Sequence, residues 1–421
     1  MVFKFLYTSY KLTMKNKLIV CGTSYDFVMG GVPTYFMRIF QWAASQGFDK
    51  ALLIPKNREI YTIWKKQVDD LRLNIIRYDI PVKQLENVEI EKYDEVICIA
   101  ADLHCYFRMF YYKNLNKYNN MKVFFYCLHP HATVVEKHKF FNLPYRKLIR
   151  DNLNNILFMD RETEKFCEEY YSLQVKNSKY YRVGSFFPNL DEERIKIRIK
   201  NRKNNFIILT IARFDFPFKG YILGLINTMG ILGKEYPNLN LVIVGDGPNN
   251  DLVKEALNKL PLDIRKKISL TGEVAYNELQ QYYDNASLYI GMGTTLIEAS
   301  KSGLPSIVAT AFQNGDSTVG FFDKEYDNVG GNIQLSAHDC MTFEECIRQE
   351  LEKSDWQYRE HCYKSYYTCK KYYQIDNIME EILKKKQGKI ESAAKYAFLN
   401  VYDCALMNLK IRVQNRRKQR R

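Results

Sequence analysis

The sequence has no C-x-x-C pair, no D-x-D pair and no apolar run of the roughly 18 residues that a membrane-spanning helix needs. Each absence removes a class. Ten cysteines scattered through 421 residues make neither a disulfide framework nor a zinc site, and they read as reduced, buried thiols. The pair His129-x-His131 has no second ligand pair to complete a metal site, so none is expected. The opening MVFKFLYTSYKLT lacks an apolar centre and a small-residue cleavage site. It is therefore not expected to be a signal peptide, and Met14, just ahead of KLIVCG, is an alternative start.

What is present describes a globular chain. Apolar residues make up 46% and charged residues 26%, and the length suffices for two domains with separate cores. The net charge of +14 is uneven. The last twelve residues, KIRVQNRRKQRR, carry seven cations and no acid. Such an end suits an anionic partner, and a membrane surface is expected rather than nucleic acid, since no nucleic-acid motif accompanies the charge.

Apolar strands alternate with helical patterns, which predicts an α/β chain with parallel sheets. Strands are expected at Lys17–Cys21, Ala51–Ile54, Glu95–Ala100 and Lys122–Leu128, with a helix from Pro33 to Gln46. The charged stretch RIKIRIKNRKNN reads as an exposed connector. A second series follows. FIILTIA, LNLVIVGDG, ISLTG, SLYIG and PSIVAT read as strands, with helices at Ile222–Glu235, Asn277–Asp284 and Thr295–Ser302. The expected division is 1–190, a linker 191–205, a second domain 206–375, and helices with a basic tail at 376–421. In the last part Ala394, Phe398, Val401, Ala405 and Leu409 recur at helical spacing, so this face is expected to pack.

Ligands of open parallel sheets bind beyond the carboxyl ends of strands, and four loops there carry candidate chemistry. Gly30-Gly31 precedes the first helix, where unencumbered amides favour an anion. Arg213 and Lys219 leave a buried strand on one loop, RFDFPFKG, two cations able to meet a diphosphate. The turn Gly245–Pro248 reads as structural, Asp246 included. In GMGTT, small residues open a helix, and Glu298 follows one turn in, where a carboxylate can accept from sugar hydroxyls.

Order and spacing of these loops resemble the retaining GT-B glycosyltransferases of family four (glycosyl transferases group 1), most closely over Phe206–Thr310. The resemblance implies two doubly wound, Rossmann-like domains facing a cleft, with C-terminal helices crossing back. Arg213 and Lys219-Gly220 look like the family's pair on the donor diphosphate. Val244–Pro248 matches V-G-x-G-P, and Leu270–Val274 is similar to the loop that touches the nucleobase, through Glu273 and Val274. Glu298–Pro305 resembles the later half of E-x(7)-E, whose second glutamate holds the ribose. The first glutamate would fall at Ile290 and is absent. Thr294, Thr295 and Leu296 lie where the donor phosphate is held. In the amino-terminal domain, Gly30 and Gly31 resemble the family's glycine loop, and His129 follows a strand where many members carry a histidine between donor sugar and acceptor. Arg161 and Glu162 are further cleft candidates.

The implied activity is metal-independent, retaining transfer of a hexose-type sugar from a nucleoside-diphosphate donor to a glycan or lipid-linked acceptor, in cell-surface polysaccharide biosynthesis. No cofactor is implied beyond the donor substrate. The expected location is the cytoplasm, peripheral at the inner face of the membrane. The alternative is a nucleotide-sugar epimerase or a catalytically inactive GT-B binding subunit, which the missing acid at Ile290 supports.

Overall fold

The computed structural model describes residues 16–28, 30–78, 89–136, 138–176, 179–275, 278–327, 329, 340–387 and 391–419, without the side chains of 411 and of 414 onward. Met29 of the glycine loop, the amino terminus of the expected Asn277 helix, and the side chains of the basic end lie outside that description. The chain divides into two compact units. Residues up to Met159, Thr163–Tyr181 and Met379 onward form the first; Asp160–Glu162 and Arg182–Ile378 form the second.

The first unit is built on strands β1 (Lys17–Gly22), β2 (Asp49–Pro55), β3 (Asn74–Tyr78), β4 (Glu95–Ala100), β5 (Met121–Cys127) and β6 (Ile156–Phe158). They form one sheet in the order β3-β2-β1-β4-β5-β6, parallel throughout. β1, β4 and β5 are almost continuous buried runs. Such runs belong to parallel strands covered on both faces, and for this reason they are conspicuous in the sequence.

The second unit holds β7 (Phe206–Ile211), β8 (Leu239–Val244), β9 (Ile268–Gly272), β10 (Leu288–Gly291), β11 (Ser306–Ala309), β12 (Ser317–Phe321) and β13 (Met341–Thr342). Their order is β13-β12-β11-β10-β7-β8-β9, with β12 and β13 antiparallel. Helices Phe343–Leu351 and Asp355–Tyr373 complete it, each opened by a capping box, Thr342 with Glu345 and Ser354 with Gln357. These T-x-x-E and S-x-x-Q signals were available in the sequence.

Two expectations are corrected. The segment 191–205 is no exposed linker: Glu192–Arg202 is a helix of the second unit, capped by Asp191. Arg198 lies buried in it, donating to the carbonyls of Gly303 (2.9 Å) and Tyr283 (3.1 Å). Its charges misled because buried arginines that find carbonyls look, in sequence, like solvated ones. The helix Ala397–Gln419 does pack, but through Leu399, Asp403, Leu406 and Met407; the expected face, with Phe398, Val401 and Leu409, is exposed. Among the described residues no helix is long and apolar enough to cross a membrane.

Candidate active site

In the second sheet the strand order turns back between β7 and β10, which are neighbours with Leu288 opposite Ile208. The chain leaves these two strands toward opposite sides, so their loops open a crevice at the carboxyl edge. Arg213 and Lys219 follow β7, and the turn Gly291–Thr295 follows β10. Hydrogen bonding anchors the second of these turns on the end of β7: the Thr295 hydroxyl lies 3.4 Å from the Ile211 carbonyl and accepts from the Tyr289 hydroxyl at 2.7 Å.

The cation loop is moulded by the turn after β8. Phe214 N–H donates to the Asp246 carbonyl (2.9 Å), Asn249 N–H to the Phe214 carbonyl (3.1 Å), and Phe216 N–H to Asn249 Oδ1 (2.7 Å). Gly245 has φ +142°, and a Cβ on it would sit 1.9 Å from the Ala212 carbonyl oxygen; one on Gly247 would lie 2.7 Å from the Phe214 nitrogen. The V-G-x-G-P spacing is thus the floor of the Arg213 loop, and Asp246 serves it through its backbone. Gly220 is confined as well, since a Cβ would lie 2.8 Å from the Gln313 carbonyl oxygen. Arg213 is exposed and Lys219 half-buried. Desolvation pushes the Lys219 pKa down; Asp215 opposes this and the positive charge of Arg213 adds to it. Two cations on one loop thus repel one another, with Asp215 offsetting part of that repulsion.

Glu273 is exposed and Val274 half-buried after β9. That loop is tied to the same floor by Gly245 N–H donating to the Gly272 carbonyl at 2.8 Å. The β10 turn is more constrained than its small residues suggest. Gly293, at φ +68°, caps the helix Thr294–Lys301, and its N–H donates to the Val329 carbonyl at 2.6 Å. The Thr295 hydroxyl is engaged inward, 3.1 Å from the Met292 carbonyl, and Leu296 is wholly in the core. Both were expected to meet the donor; the Leu296 side chain is fully buried and the Thr295 hydroxyl is taken up by Tyr289, Ile211 and Met292. Thr294 remains half-buried at the helix start.

Glu298 is partly buried and already engaged. The Ser185 hydroxyl donates to Oε1 (3.1 Å), and Lys301 Nζ lies 2.6 Å from Oε2. The sequence reading missed both partners. Lys301 was legible as the i+3 cation on the same helix face, whereas Ser185 is 113 residues away and left no local signal. Ile290, at the position of the absent acid, is fully buried in the second unit's core. Arg161 and Glu162 begin the helix Arg161–Tyr171.

The first unit repeats the plan. Its order turns back between β1 and β4, and the loops after them are welded by Asp102, a residue the sequence did not single out. This buried carboxylate caps the helix Leu103–Asn116 through Cys105 N–H (2.9 Å) and accepts from Ser24 N–H (2.7 Å) and the Ser24 hydroxyl (2.9 Å). Beyond that loop, Gly30 and Gly31 open the helix Gly31–Ser45. A Cβ on Gly31 would meet nothing within 4 Å and one on Gly30 only Pro33 at that limit, so no contact among the described residues requires these glycines. His129 follows β5. Desolvation pushes its pKa below the ordinary histidine value and His131 adds to this, against Asp102, which favours the neutral imidazole. His131 rests edge-on against Phe166, centroids 5.1 Å apart. Among the described residues no three His, Cys, Asp or Glu side chains converge on a metal-binding position.

Residues 191–320, which carry the cation loop, its floor and the Glu298 helix, match the family model described as glycosyl transferases group 1. The match covers 130 of the 421 residues. A Haemophilus influenzae protein described as an uncharacterized glycosyltransferase is 30% identical over 109 residues, 24% of this chain and 29% of that one. The match thus spans less than a third of that relative's length. A glycosyltransferase from Rickettsia africae is similar in structure, with a TM-score of 0.60 and 17% identity over 88% of this chain and 100% of that one. Anabaena HepE, solved in complex with UDP, has a TM-score of 0.60 and 14% identity over 87% of this chain and 98% of that one. At such identities the likeness is one of fold, and the fold is GT-B, two Rossmann-like domains of which the second carries the group 1 segment.

Proposed function

We propose that the chain is a retaining glycosyltransferase that moves a sugar from a nucleoside-diphosphate donor to a glycan or lipid-linked acceptor in cell-surface polysaccharide assembly. The observation that carries the reading is the anchoring of the Gly291–Thr295 turn on the end of β7, the strand from which the Arg213–Lys219 loop leaves, inside the group 1 segment. There two cations and the amides at a helix start can neutralise a departing diphosphate, the largest charge that develops in such a transfer. The chain's own cations would supply that charge without a metal. Glu298 would hold the donor ribose, with Ser185 and Lys301 fixing the orientation of its carboxylate. Glu273 and Val274 would border the base. In the first unit, Gly30 and Gly31 leave backbone free for substrate, and a neutral His129 would orient the acceptor hydroxyl. HepE was solved with UDP, which makes the uridine nucleotides the first to try.

The test is a thermal shift with UDP, GDP, ADP, CMP and their common sugars, followed by donor hydrolysis with the responsive ligand. One nucleotide is expected to raise the apparent stability in proportion to affinity, with the shift lost in Glu298→Ala. Arg213→Ala combined with Lys219→Ala is expected to slow donor cleavage by about a hundredfold or more; equal rates would remove the role given to that pair. The buried Ile290 favours a second reading, an epimerase or a binding subunit. Conversion of a nucleotide sugar to its epimer without acceptor, or binding with no cleavage, would put it first. The same proposal places the protein in the cytoplasm, peripheral at the inner membrane face through its basic end, and removal of Arg416–Arg421 is expected to weaken liposome binding.

A further inference from the structure

The first unit holds an apolar ridge outward instead of folding it into its core. In the short turn Lys139–Asn142, Phe140 is 75% exposed, with Phe141 and then Leu143 also exposed. The turn is clamped from within. Asn142 is fully buried, and its side-chain oxygen accepts from Val135 N–H (2.7 Å) and Glu136 N–H (3.1 Å). Its side-chain nitrogen donates to the Glu136 carbonyl (2.6 Å) and the His138 carbonyl (3.1 Å). A satisfied buried amide is a strong local constraint, and here it presents two phenylalanines to solvent.

The ridge is continued by the exposed face of the C-terminal helix. The Tyr402 hydroxyl donates to the Phe141 carbonyl at 2.9 Å, and its ring stacks against Phe398, centroids 6.4 Å apart. Phe398 and Val401, 75% and 69% exposed, lie on that face, with Leu409 beyond them. The exposed charges beside the ridge are mainly positive, and the nearby acid, Glu136, is already paired with Lys410 at 2.8 Å. The run HKFFNLPYRKLIR, 138–150, contains no acid, and Lys139, Arg146 and Lys147 are exposed. The same helix runs on to Gln419 through the basic end of the chain.

Contiguous exposed apolar surface marks an interaction site, and the charge decides its kind. A second copy would set cations against cations, whereas an anionic bilayer offers opposite charge for the lysines and arginines and hydrocarbon for the phenylalanines. We propose that the turn Lys139–Leu143 and the outer face of the C-terminal helix dock together on an anionic lipid surface. This extends the membrane partner proposed above from a basic tail to a shaped, aromatic-bearing face, and rests on the transfer reading only for its purpose, bringing a lipid-linked acceptor to the enzyme.

The experiment uses the full chain with vesicles of phosphatidylcholine alone and of phosphatidylcholine mixed with phosphatidylglycerol. Flotation is expected with the anionic vesicles only, and the affinity is expected to fall about tenfold or more in the Phe140→Ser, Phe141→Ser double variant and in Phe398→Ser, Val401→Ser. Thermal melting and the nucleotide-induced shift of these variants report folding and donor binding separately, so loss of docking is distinguishable from loss of the transferase reading. A Phe140→Trp variant adds a direct signal: its fluorescence is expected to shift to the blue and be quenched by brominated lipid. Binding abolished by removing Arg416–Arg421 yet unchanged in the serine variants would overturn the proposal, as would an unquenched Trp at 140. A dimer in solution that the Phe140 variant dissociates would equally overturn it, assigning the face to a second copy.

Discussion

Lys219 is the residue through which the proposed donor site is most directly tested. Its pKa is held down by desolvation and by Arg213, so part of the folded protein's free energy is repulsion that a diphosphate would relieve. Binding an anion raises that pKa again. Affinity is then full below the free-state pKa of Lys219 and falls as pH rises through it, at lower pH than an ordinary lysine would dictate. Calorimetric titration of the responsive nucleotide between about pH 7.5 and pH 10 is expected to show this decline, and Lys219→Met is expected to bind more weakly with a flatter profile. An unchanged profile in the variant would show that the lysine does not meet the phosphates.

The C-terminal helix is the element on which the first unit closes, and one buried acid holds it. Asp403 is fully buried, 2.7 Å from His104 Nδ1, and bonded as well to Arg108 and to the Tyr145 hydroxyl. Burial pushes its pKa up, but the charge and hydrogen bond of His104, the Arg108 charge and the Tyr145 hydroxyl outweigh that, and the net direction is down. A depressed carboxylate contributes stability that is present above its unfolded value, about 3.9, and is lost as pH falls through the folded value. Asp403→Ala would leave Arg108 buried without its counter-charge, at a cost of about 3–5 kcal/mol. The expected outcome is a helix that exchanges amide hydrogens and is clipped by protease while the sheet of the first unit stays protected; equal protection in the variant would show that apolar packing alone holds it.

At the scale of the whole molecule, the two units differ in how the chain supplies them. The second is nearly one continuous stretch, Arg182–Ile378, with its own core, whereas the first needs Met379 onward to complete it. Tyr396 and Leu399 belong to the first unit's core cluster. A fragment 182–378 is therefore expected to fold cooperatively and to gain stability from the same nucleotide as the full chain. A fragment 1–181 is expected to stay aggregation-prone or unfolded, since Arg108 and His104 would be buried without Asp403. Circular dichroism and calorimetry of the two fragments check both halves; nucleotide binding confined to the full chain would mean that the second unit does not form the donor site by itself.

Alone, the sequence determined the strands and the loops that follow them. A strand covered on both faces must be apolar along its length, and a loop lying against another backbone must be glycine; both are local requirements, written where they act. Val244–Pro248 and Lys219-Gly220 were legible for that reason, and the close approaches at Gly245, Gly247 and Gly220 supply the cause. Tertiary structure alone decided what depends on groups distant in the chain. Ser185 beside Glu298 and Asp102 beneath Ser24 carry no periodic signal. The C-terminal helix is the clearest case: its pattern of apolar residues chose the face with Phe398 and Val401, whereas the buried face contains Asp403. An aspartate disqualifies a face only when nothing pairs with it, and the three groups that pair with this one come from two helices more than 250 residues earlier.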